Sequence, residues 1–458
     1  MSVIEIENLG NIKKASLEIG KLTIFSGENN SGKTYLNYVL YAFLDQRFKF
    51  RNKIFLDIAR EGKEKGTLKI ELDRFLEKNY IKLKNSMELA FKKSLDNFFS
   101  AEKNRFKNFQ LNITNSLENV KEYIFKQNIE SELSIGKSNN TICEIKKEKE
   151  SFLTHIVFFD SDAPVYIYAD YINDILIRYI FHEMFNDAFL LPAERTGINL
   201  FYQELNDKRN ALINHLQKSS IEPLDVIRDL IISKYPQPIA DYITFLNNLN
   251  NLKKKRSPFA GLNDFLHKEI IQGRYCVDKS GNITFKPYKR FFNGNGFSDK
   301  IDLHLSSSAV KTFFSLEFYI EHMAQVGNYL IIDEPELNLH PDNQRKIARL
   351  LARLVNKGVN VILSTHSDYI VREFNNLIML HNEFDSKQKI MESYGYEIEE
   401  ILDPKYVKAY IVSSGLVERV EIDDEGIIMK TFDDVINQLN ESSDEIFYTM
   451  KEEMDDER

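Results

Sequence analysis

The chain has 458 residues, and its 43% hydrophobic and 12% aromatic content is ample for two or three packed lobes. Its net charge of −9 argues against uniform affinity for nucleic acid, and no apolar run approaches the roughly 20 residues that a membrane span requires. The two cysteines, Cys143 and Cys276, lack metal-ligand spacing, and the first residues lack the features of an export signal. We therefore expect a cytoplasmic protein without membrane contact.

The first predicted elements are three short strands, at Val3–Glu7, Ile12–Ile19 and Leu22–Phe25. The third strand leads into the sequence GENNSGKT, which matches the Walker A pattern GxxxxGK[ST], and an apolar helix is predicted over 35–44. The glycines of this pattern let consecutive backbone N–H groups turn toward a phosphate, and the helix directs its positive end there. The predicted ATP-binding residues are Gly27, Glu28, Asn29, Asn30, Ser31, Gly32, Lys33 and Thr34.

Residues 1–44 are thus the first part of a nucleotide-binding head, and a mainly helical insertion is predicted over 45–185. Within it, residues 133–159 are more strand-like. Residues 45–110 hold seventeen Lys/Arg against ten Asp/Glu, a local charge of +7. This stretch is either a solvated helical face or a basic surface for nucleic acid or an acidic partner. An apolar stripe at helical spacing is an ordinary core face, formed by Leu83, Met87, Phe91 and Leu95.

A strand that returns to the head is predicted within 186–200, and a helical subdomain follows over 201–272. The return strand ends in the sequence PAERTG. Its Glu194 and Arg195 form either a structural ion pair or a contact with a γ-phosphate or another subunit.

The rest of the head is predicted over 273–385, where the sequence YLIIDEPELNLHP occupies 329–341. This pattern is an apolar Walker B strand that delivers Asp333 to Mg²⁺ and places Glu334 beside it. His366 follows the next predicted strand, at 359–364. Roughly 300 residues separate the Walker A and Walker B elements, which predicts an ATPase head interrupted by a large insertion.

Phosphate cleavage at such a site needs a phosphate cradle, a metal, a polarised water and neutralisation of charge. Lys33 can reach the β- and γ-phosphates, and Thr34 and Asp333 are the predicted Mg²⁺ ligands. Glu334 is the candidate base for water, and His366 is placed over the γ-phosphate. The sequence therefore predicts an ATPase with ATP and Mg²⁺ as cofactors and Glu334, His366 and Lys33 as catalytic residues.

The C-terminal segment, 386–458, is predicted as a short α/β region with a helix at Asp433–Asn440 and an acidic tail. Residues 421–458 hold fourteen Asp/Glu against three Lys/Arg, a local charge of −11. A solvated face and an acidic surface for a basic partner both account for this charge.

Taken together, these motifs resemble the ABC-type ATPase heads of the structural-maintenance-of-chromosomes, RecF and OLD proteins. The resemblance implies an α/β fold: an ABC-type P-loop ATPase head with a mixed sheet, interrupted by the large, mainly helical insertion. It makes residues 336–340 the D-loop, His366 the switch histidine and Gln203 a candidate for the Q-loop. It also implies a signature motif that acts in trans on a partner's nucleotide, at Ser306, Ser307 and Ser308, where Ser307 and Ser308 replace the usual glycines. A serine-rich helix cap is the alternative for these three residues.

The signature serines, the sequence PAER and the form DEPELNLHP look most like the ATPase subunits of bacterial anti-phage systems of the PARIS type. This resemblance implies a homodimer or a higher assembly, such as a hexamer of dimers, that holds a separate effector and releases it on sensing a phage-encoded trigger protein. The effector is expected to be a Toprim or HNH nuclease. The alternative is a RecF-like DNA-repair ATPase that clamps DNA, although the charge distribution indicates DNA binding only weakly. A transporter motor is disfavoured by the altered signature.

Overall fold

A computed structural model describes residues 3–46, 48, 50–135, 140–159, 162–182, 184–202, 204, 235–288, 299–423, 425–427, 438 and 440–451. The Q-loop candidate Gln203, most of the helix predicted at Asp433–Asn440 and the middle of the helical subdomain predicted over 201–272 lie outside the described residues. The chain divides into two compact units. The first unit comprises Met1–Ile19, Tyr38–Phe189 and Glu222–Asp241, and the second comprises Gly20–Asn37, Leu190–Ile221 and Tyr242–Arg458.

The first unit begins with a hairpin of β1 (Val3–Leu9) and β2 (Ile12–Glu18), and β5 (Gln110–Thr114) pairs antiparallel with the other side of β1. Alternate residues of β1, such as Ile4 and Ile6, are buried, as their spacing of two requires. The sequence predicted both strands of the hairpin.

A second sheet of the first unit has the strand order β4-β8-β7-β6, and all its pairs are antiparallel. The inserted segment therefore combines a sheet with its helices, and its strand-like stretch is confirmed. The strands are β4 (Thr67–Glu71), β6 (Ile129–Ile135), β7 (Asn140–Lys147) and β8 (Leu153–Phe158). The helices are α2 (Lys53–Lys65), α3 (Leu72–Phe98), α4 (Leu117–Lys126) and α5 (Val165–Ile180).

Helix α3 spans 27 residues and buries one stripe along its length. The side chains at successive i+4 positions are 0% exposed, which confirms the predicted core face, namely Leu83, Met87, Phe91 and Leu95. The Phe91 ring packs edge-on against Phe43 and Phe48 at centroid distances of 5.3 and 5.2 Å. Such aromatic pairs add to the free energy of burial.

The second unit is built on a mixed sheet, which confirms the α/β fold class. Parallel pairs join β3 (Leu22–Ser26) to β14 (Asn360–Thr365) and β14 to β13 (Tyr329–Asp333). On the other side of β3, β15 (Val407–Ser413) is parallel to it, and β16 (Leu416–Val420) is antiparallel to β15. Because β3, β14 and β13 are parallel, their carboxyl ends meet at one edge of the sheet.

The remaining elements lie mostly in the second unit. Helix α1 (Lys33–Leu44) starts there and continues into the first unit, and β9 (Ala188–Leu191) ends in the second. Strands β10 (Gly273–Val277) and β11 (Ile283–Pro287) form an antiparallel hairpin. The other strands are β12 (Ile301–Asp302), β17 (Ile422–Asp423) and β18 (Gly426–Ile427). Further helices are α6 (Gln237–Asn247), α7 (Ser308–His322), α8 (Pro341–Asn356), α9 (Asp368–Met379) and α10 (Lys387–Tyr394), and residues 195–202 are also helical.

Candidate nucleotide-binding site

The Walker A loop leaves β3 after Ser26 and enters α1 at Lys33. Its backbone requires glycine: Gly27 has φ 147° and Gly32 has φ 107°. A Cβ atom on Gly27 would lie 2.2 Å from the backbone oxygen of Val412, so no other residue fits there without moving β15. The local sequence thus dictates a loop that curls around the start of α1.

The Lys33 ammonium is folded back onto this loop. Its Nζ donates to the carbonyl oxygens of Gly27 at 3.0 Å and Glu28 at 2.7 Å, and to Ser31 Oγ at 3.2 Å. Burial lowers the pKa of Lys33, while the nearby carboxylates, Glu334 first, oppose that shift. A buried cation whose hydrogen bonds go only to neutral oxygens is suited to receive an anionic group, because hydrogen bonds between ionised partners are stronger.

Asp333 ends the Walker B strand and is 1% exposed. The Thr34 hydroxyl donates to its Oδ2 at 2.8 Å, and the Asn37 amide donates to its Oδ1 at 3.2 Å. The Ser364 hydroxyl also donates to Oδ1, and Asn37 donates to Ser364 Oγ at 2.9 Å. Hydroxyl and carboxylate oxygens side by side are the hard ligands that Mg²⁺ prefers, so these residues fit the ion predicted from the sequence.

Asn37 and Ser364 were not predicted as site residues. The signal for Asn37 is its position four residues after Lys33, on the same face of α1. Ser364 is a site residue because it pairs with Asp333 across the parallel strands β13 and β14. That pairing depends on which strand lies beside β13, and a single sequence does not specify the strand order.

Glu334 has a left-handed backbone, with φ 51°, and its amide donates to the Ser364 carbonyl at 3.0 Å. Its Oε1 lies 3.7 Å from Nε2 of His366. Burial raises the pKa of Glu334, and the charge of Asp333 raises it further. Burial lowers the pKa of His366, and Lys33 adds to that effect. The pair is therefore a carboxyl group beside an uncharged imidazole and not a strong ion pair.

Glu336 is a further residue of this cluster. Its Oε1 accepts the backbone N–H of His366 at 2.5 Å, and burial raises the pKa of its carboxyl group. The sequence had assigned Glu336 only to the D-loop region. This hydrogen bond fixes the backbone of His366, the first residue after β14.

The structure therefore brings together the predicted residues Lys33, Thr34, Asp333, Glu334 and His366 at one edge of the sheet. Residues 1–371 match the family model described as the AAA ATPase domain. The chain belongs to this ATPase family. A search of curated proteins found no match.

Solved structures that this AAA ATPase matches include two SMC head domains and a recombination mediator. The SMC head domain from Thermotoga maritima is 10% identical, with 92% of this chain and 98% of that chain covered and a TM-score of 0.32. An Smc head domain bound to the C-terminal domain of ScpA, derived from Pyrococcus furiosus, is 12% identical, with 97% and 100% covered and a TM-score of 0.31. The recombination mediator RecF is 11% identical, with 92% and 97% covered and a TM-score of 0.30. At these TM-scores the likeness carries no information about substrates or partners.

In this AAA ATPase Arg195 takes a position that neither interpretation of the Glu194–Arg195 pair anticipated. Glu194 is exposed, whereas Arg195 is 2% exposed. The Arg195 guanidinium donates to the backbone oxygens of Asp333 at 2.6 Å and Glu334 at 2.7 Å. It therefore holds the Walker B turn and does not reach into the nucleotide cradle.

The predicted signature serines lie at the start of α7. Ser307 is the N-cap, and its Oγ accepts the Val310 N–H at 3.3 Å, as the helix-cap alternative requires. Ser306 Oγ donates to the Asp302 carbonyl at 3.3 Å. Ser307 and Ser308 are exposed, and within the described part of the chain no hydrogen bond joins the three serines to the Walker A and Walker B cluster. The structure thus does not bring them into that cluster within one chain.

Two further findings concern metals and membranes. Within the described ranges, no group of three or more His, Cys, Asp and Glu side chains is arranged to hold a metal ion. In the same part of the chain, no helix has both the length and the apolar character needed to cross a bilayer.

Proposed function

We propose that the protein binds ATP in the Walker A loop and hydrolyses it with Mg²⁺ held by Thr34 and Asp333. The observation that carries this proposal is the 2.8 Å contact between the Thr34 hydroxyl and the Asp333 carboxylate. It joins the two halves of the site in one metal-binding pair, with Lys33 on one side and Glu334 on the other.

Lys33 is the phosphate-binding cation. In this structure its ammonium bonds the loop's own carbonyls, and a bound triphosphate offers charged oxygens in their place. Hydrogen bonds between ionised partners are stronger than those to neutral carbonyls, so this exchange favours binding. Thr34 and Asp333 would hold the Mg²⁺ ion, which would supply positive charge to neutralise the phosphates.

Glu334 is the general base. Burial raises the pKa of Glu334 toward the neutral range, where a base accepts a proton from water most effectively. His366 has a lowered pKa, so its uncharged ring retains one N–H donor for a γ-phosphate oxygen. Glu336 holds the backbone N–H of His366 and so orients this donor.

Substitution of Lys33 tests the binding step. Lys33→Ala removes the only cation that contacts the loop carbonyls within the described residues, so a fluorescent ATP analogue should lose nearly all its affinity. Lys21→Ala is the matched control and should bind normally, because Lys21 is a half-buried lysine of the same unit whose ammonium lies 3.7 Å from the centre of the Tyr406 ring. Unchanged affinity of Lys33→Ala would show that the Walker A assignment is wrong.

We further propose that the active unit is a homodimer or a higher assembly, with Ser306–Ser308 of one chain facing the nucleotide of the other. The exposure of Ser307 and Ser308 at the start of α7 supports this proposal, because a helix N-terminus with exposed hydroxyls suits a phosphate from outside the chain. A two-fold dimer would then hold two ATP molecules in one self-complementary interface.

The biological role that we propose is a regulatory scaffold of a cytoplasmic anti-phage system. ATP would close the assembly on a separate effector, and a phage-encoded trigger would release that effector, a Toprim or HNH nuclease. This proposal rests on the PARIS-type resemblance of the motifs. A nuclease gene beside this one supports it, and recombination genes there would favour the RecF-like alternative.

The DNA clamp is the weaker candidate. In the basic stretch 45–110 several cations already have acidic partners: Arg51 with Asp170, Lys65 with Glu61, and Lys84 with Glu88. This pairing supports the solvated-face interpretation of the stretch. A salt titration of DNA binding tests the clamp, because neutralisation of phosphates gives a steep loss of affinity with salt.

A further inference from the structure

The segment that follows β9 touches two functional elements of the second unit. At its start, the Arg195 guanidinium binds the carbonyl oxygens of Asp333, Glu334 and Pro192. Of these residues, Asp333 is the proposed metal ligand and Glu334 is the proposed general base. Burial lowers the pKa of Arg195, and moving this buried cation away from its carbonyls would leave it unsolvated. The Walker B turn and Arg195 are therefore fixed to each other.

The same segment binds the helix that carries the signature serines. The hydroxyls of Thr196 and Thr312 are 3.0 Å apart, and the Asn199 amide donates to the Lys311 carbonyl at 2.9 Å. Asn199 Oδ1 accepts the Ser315 hydroxyl at 3.2 Å. These partners lie in the first two turns of α7, directly after the Ser307 cap.

Burial makes this contact stiff. Asn199 is 2% exposed, Thr312 is 1% exposed and Ser315 is 0% exposed. Tyr242 completes the cluster, because its hydroxyl donates to Asn199 Oδ1 at 2.8 Å. A buried polar network in which each group has a partner resists partial rearrangement, so the segment and α7 move together.

The two sets of contacts are one helical turn apart. Residues 195–202 are helical, and the Ile198 N–H donates to the Glu194 carbonyl at 3.1 Å. Any movement of the Walker B turn that displaces Arg195 therefore also displaces Thr196 and Asn199, because the three residues belong to one helical turn.

We propose that residues 192–199 link the Walker B turn of a chain to its own signature helix, with Arg195 as the positioning residue. The inference rests on the proposed function, in which the signature serves the nucleotide of the partner. In such a dimer the link joins the two ATP sites: the metal and phosphate at Asp333 of one site bias the position of the serines at the other.

Amide hydrogen exchange of α7 tests the link in the full chain. The parent for this test carries Ser306→Arg, which blocks contact of the signature with a second nucleotide. Any response of α7 to a non-hydrolysable ATP analogue with Mg²⁺ then comes from the chain's own site. We expect exchange in residues 308–315 to change by about fivefold or more, the lower end of ordinary coupling between sites.

Two variants then break the link at its two ends. Arg195→Lys retains the charge but loses the planar fork that bonds two carbonyls at once. Thr196→Val removes one hydroxyl at nearly constant shape, and Thr196→Ser, which keeps the hydroxyl, is its control. Both link variants should bind the analogue within about threefold of the parent while α7 no longer responds. Thr196→Ser should respond like the parent. If Arg195→Lys does not fold, the Thr196 pair carries the test.

The outcomes separate the two proposals. Binding of the analogue without any change in α7 of the parent overturns the link and leaves the ATPase proposal standing. A response that persists in both link variants also overturns the link. Failure of both the wild-type chain and the parent to bind the analogue overturns the ATPase proposal itself, and the link with it. Loss of the response in Thr196→Val but not in Thr196→Ser supports the link.

Discussion

The Thr34 hydroxyl lies 2.8 Å from the Asp333 carboxylate, although the two residues are 299 positions apart in the chain. The contact exists because β3 and β13 flank β14 in one parallel set, so the residues that follow or end these strands share an edge. The large insertion between the two motifs leaves this geometry intact.

Glu334→Gln should abolish hydrolysis while ATP binding persists. Glutamine keeps the shape of the side chain but cannot accept a proton from water, and the loss of a general base costs on the order of 10²–10⁴ in rate. Phosphate release measured beside analogue binding separates the two steps. Glu28→Gln, a change to an acidic residue of the loop that contributes a backbone carbonyl to Lys33, is a suitable control. Turnover of Glu334→Gln at the wild-type rate would contradict the role.

Glu336→Ala should lower turnover through His366. The change removes the carboxylate that accepts the backbone N–H of His366 at 2.5 Å. Without this hydrogen bond the backbone of His366, and with it the imidazole ring, loses its fixed orientation. We expect about a 10²-fold decrease in kcat, the cost of a misplacement of about 1 Å, with little change in nucleotide affinity. Glu336→Gln retains a carbonyl acceptor and should recover much of the rate. Equal activity of both variants with the wild type would exclude the positioning role.

As the pH is lowered, the rate of hydrolysis should begin to fall at a higher pH than it would if the base were a glutamate of ordinary pKa. The base is active when deprotonated, and burial raises the pKa of Glu334, so protonation begins earlier as the pH decreases. Burial lowers the pKa of His366, so its ring protonates at a more acid pH than an ordinary imidazole does. A pH profile of kcat measures this limb. A limb at or below the usual glutamate pKa of about 4.3 would contradict the assignment of Glu334.

Mixed subunits should reveal a composite active site. Lys33→Ala and Ser306→Arg chains should each be inactive, because one lacks the phosphate cation and the other a usable signature. A dimer of the two retains one intact site, formed by the Walker A loop of one chain and the signature of the other. Recovery of activity on mixing, measured by phosphate release, supports the arrangement. Full activity of Ser306→Arg alone would refute it, and a mixture without activity would count against it.

Gly27→Ala should destroy the phosphate loop. The added Cβ would lie 2.2 Å from the backbone oxygen of Val412 and would force a left-handed conformation on alanine. Because a backbone atom opposes it, no side-chain rotation can relieve the clash. We expect loss of analogue binding. Gly66→Ala also has a positive φ but meets no atom within 4 Å, so it is a control for backbone strain alone.

Those elements of the site whose chemistry is local could be predicted from the amino-acid sequence. The Walker A pattern needs only consecutive residues, because its glycines and its helix start are neighbours in the chain, and its loop is found where predicted. The Walker B strand, the strand before His366 and the buried stripe of α3 are likewise visible as short-range hydrophobic patterns. The predicted domain boundaries stay predictions, and the described residues fall into two units of interleaved segments.

The residues that support these motifs could be identified only from the folded chain. Asn37, Ser364 and Glu336 reach Asp333 and His366 because of the strand order, which depends on long-range pairing. The polar sequence around Arg195 fits two structural roles equally well. The arginine could form an ion pair at the surface, or it could be buried with its guanidinium bonded to carbonyl oxygens. Its hydrogen bonds go to backbone oxygens, which every residue carries, so no side-chain pattern could single out Asp333 and Glu334 as its partners.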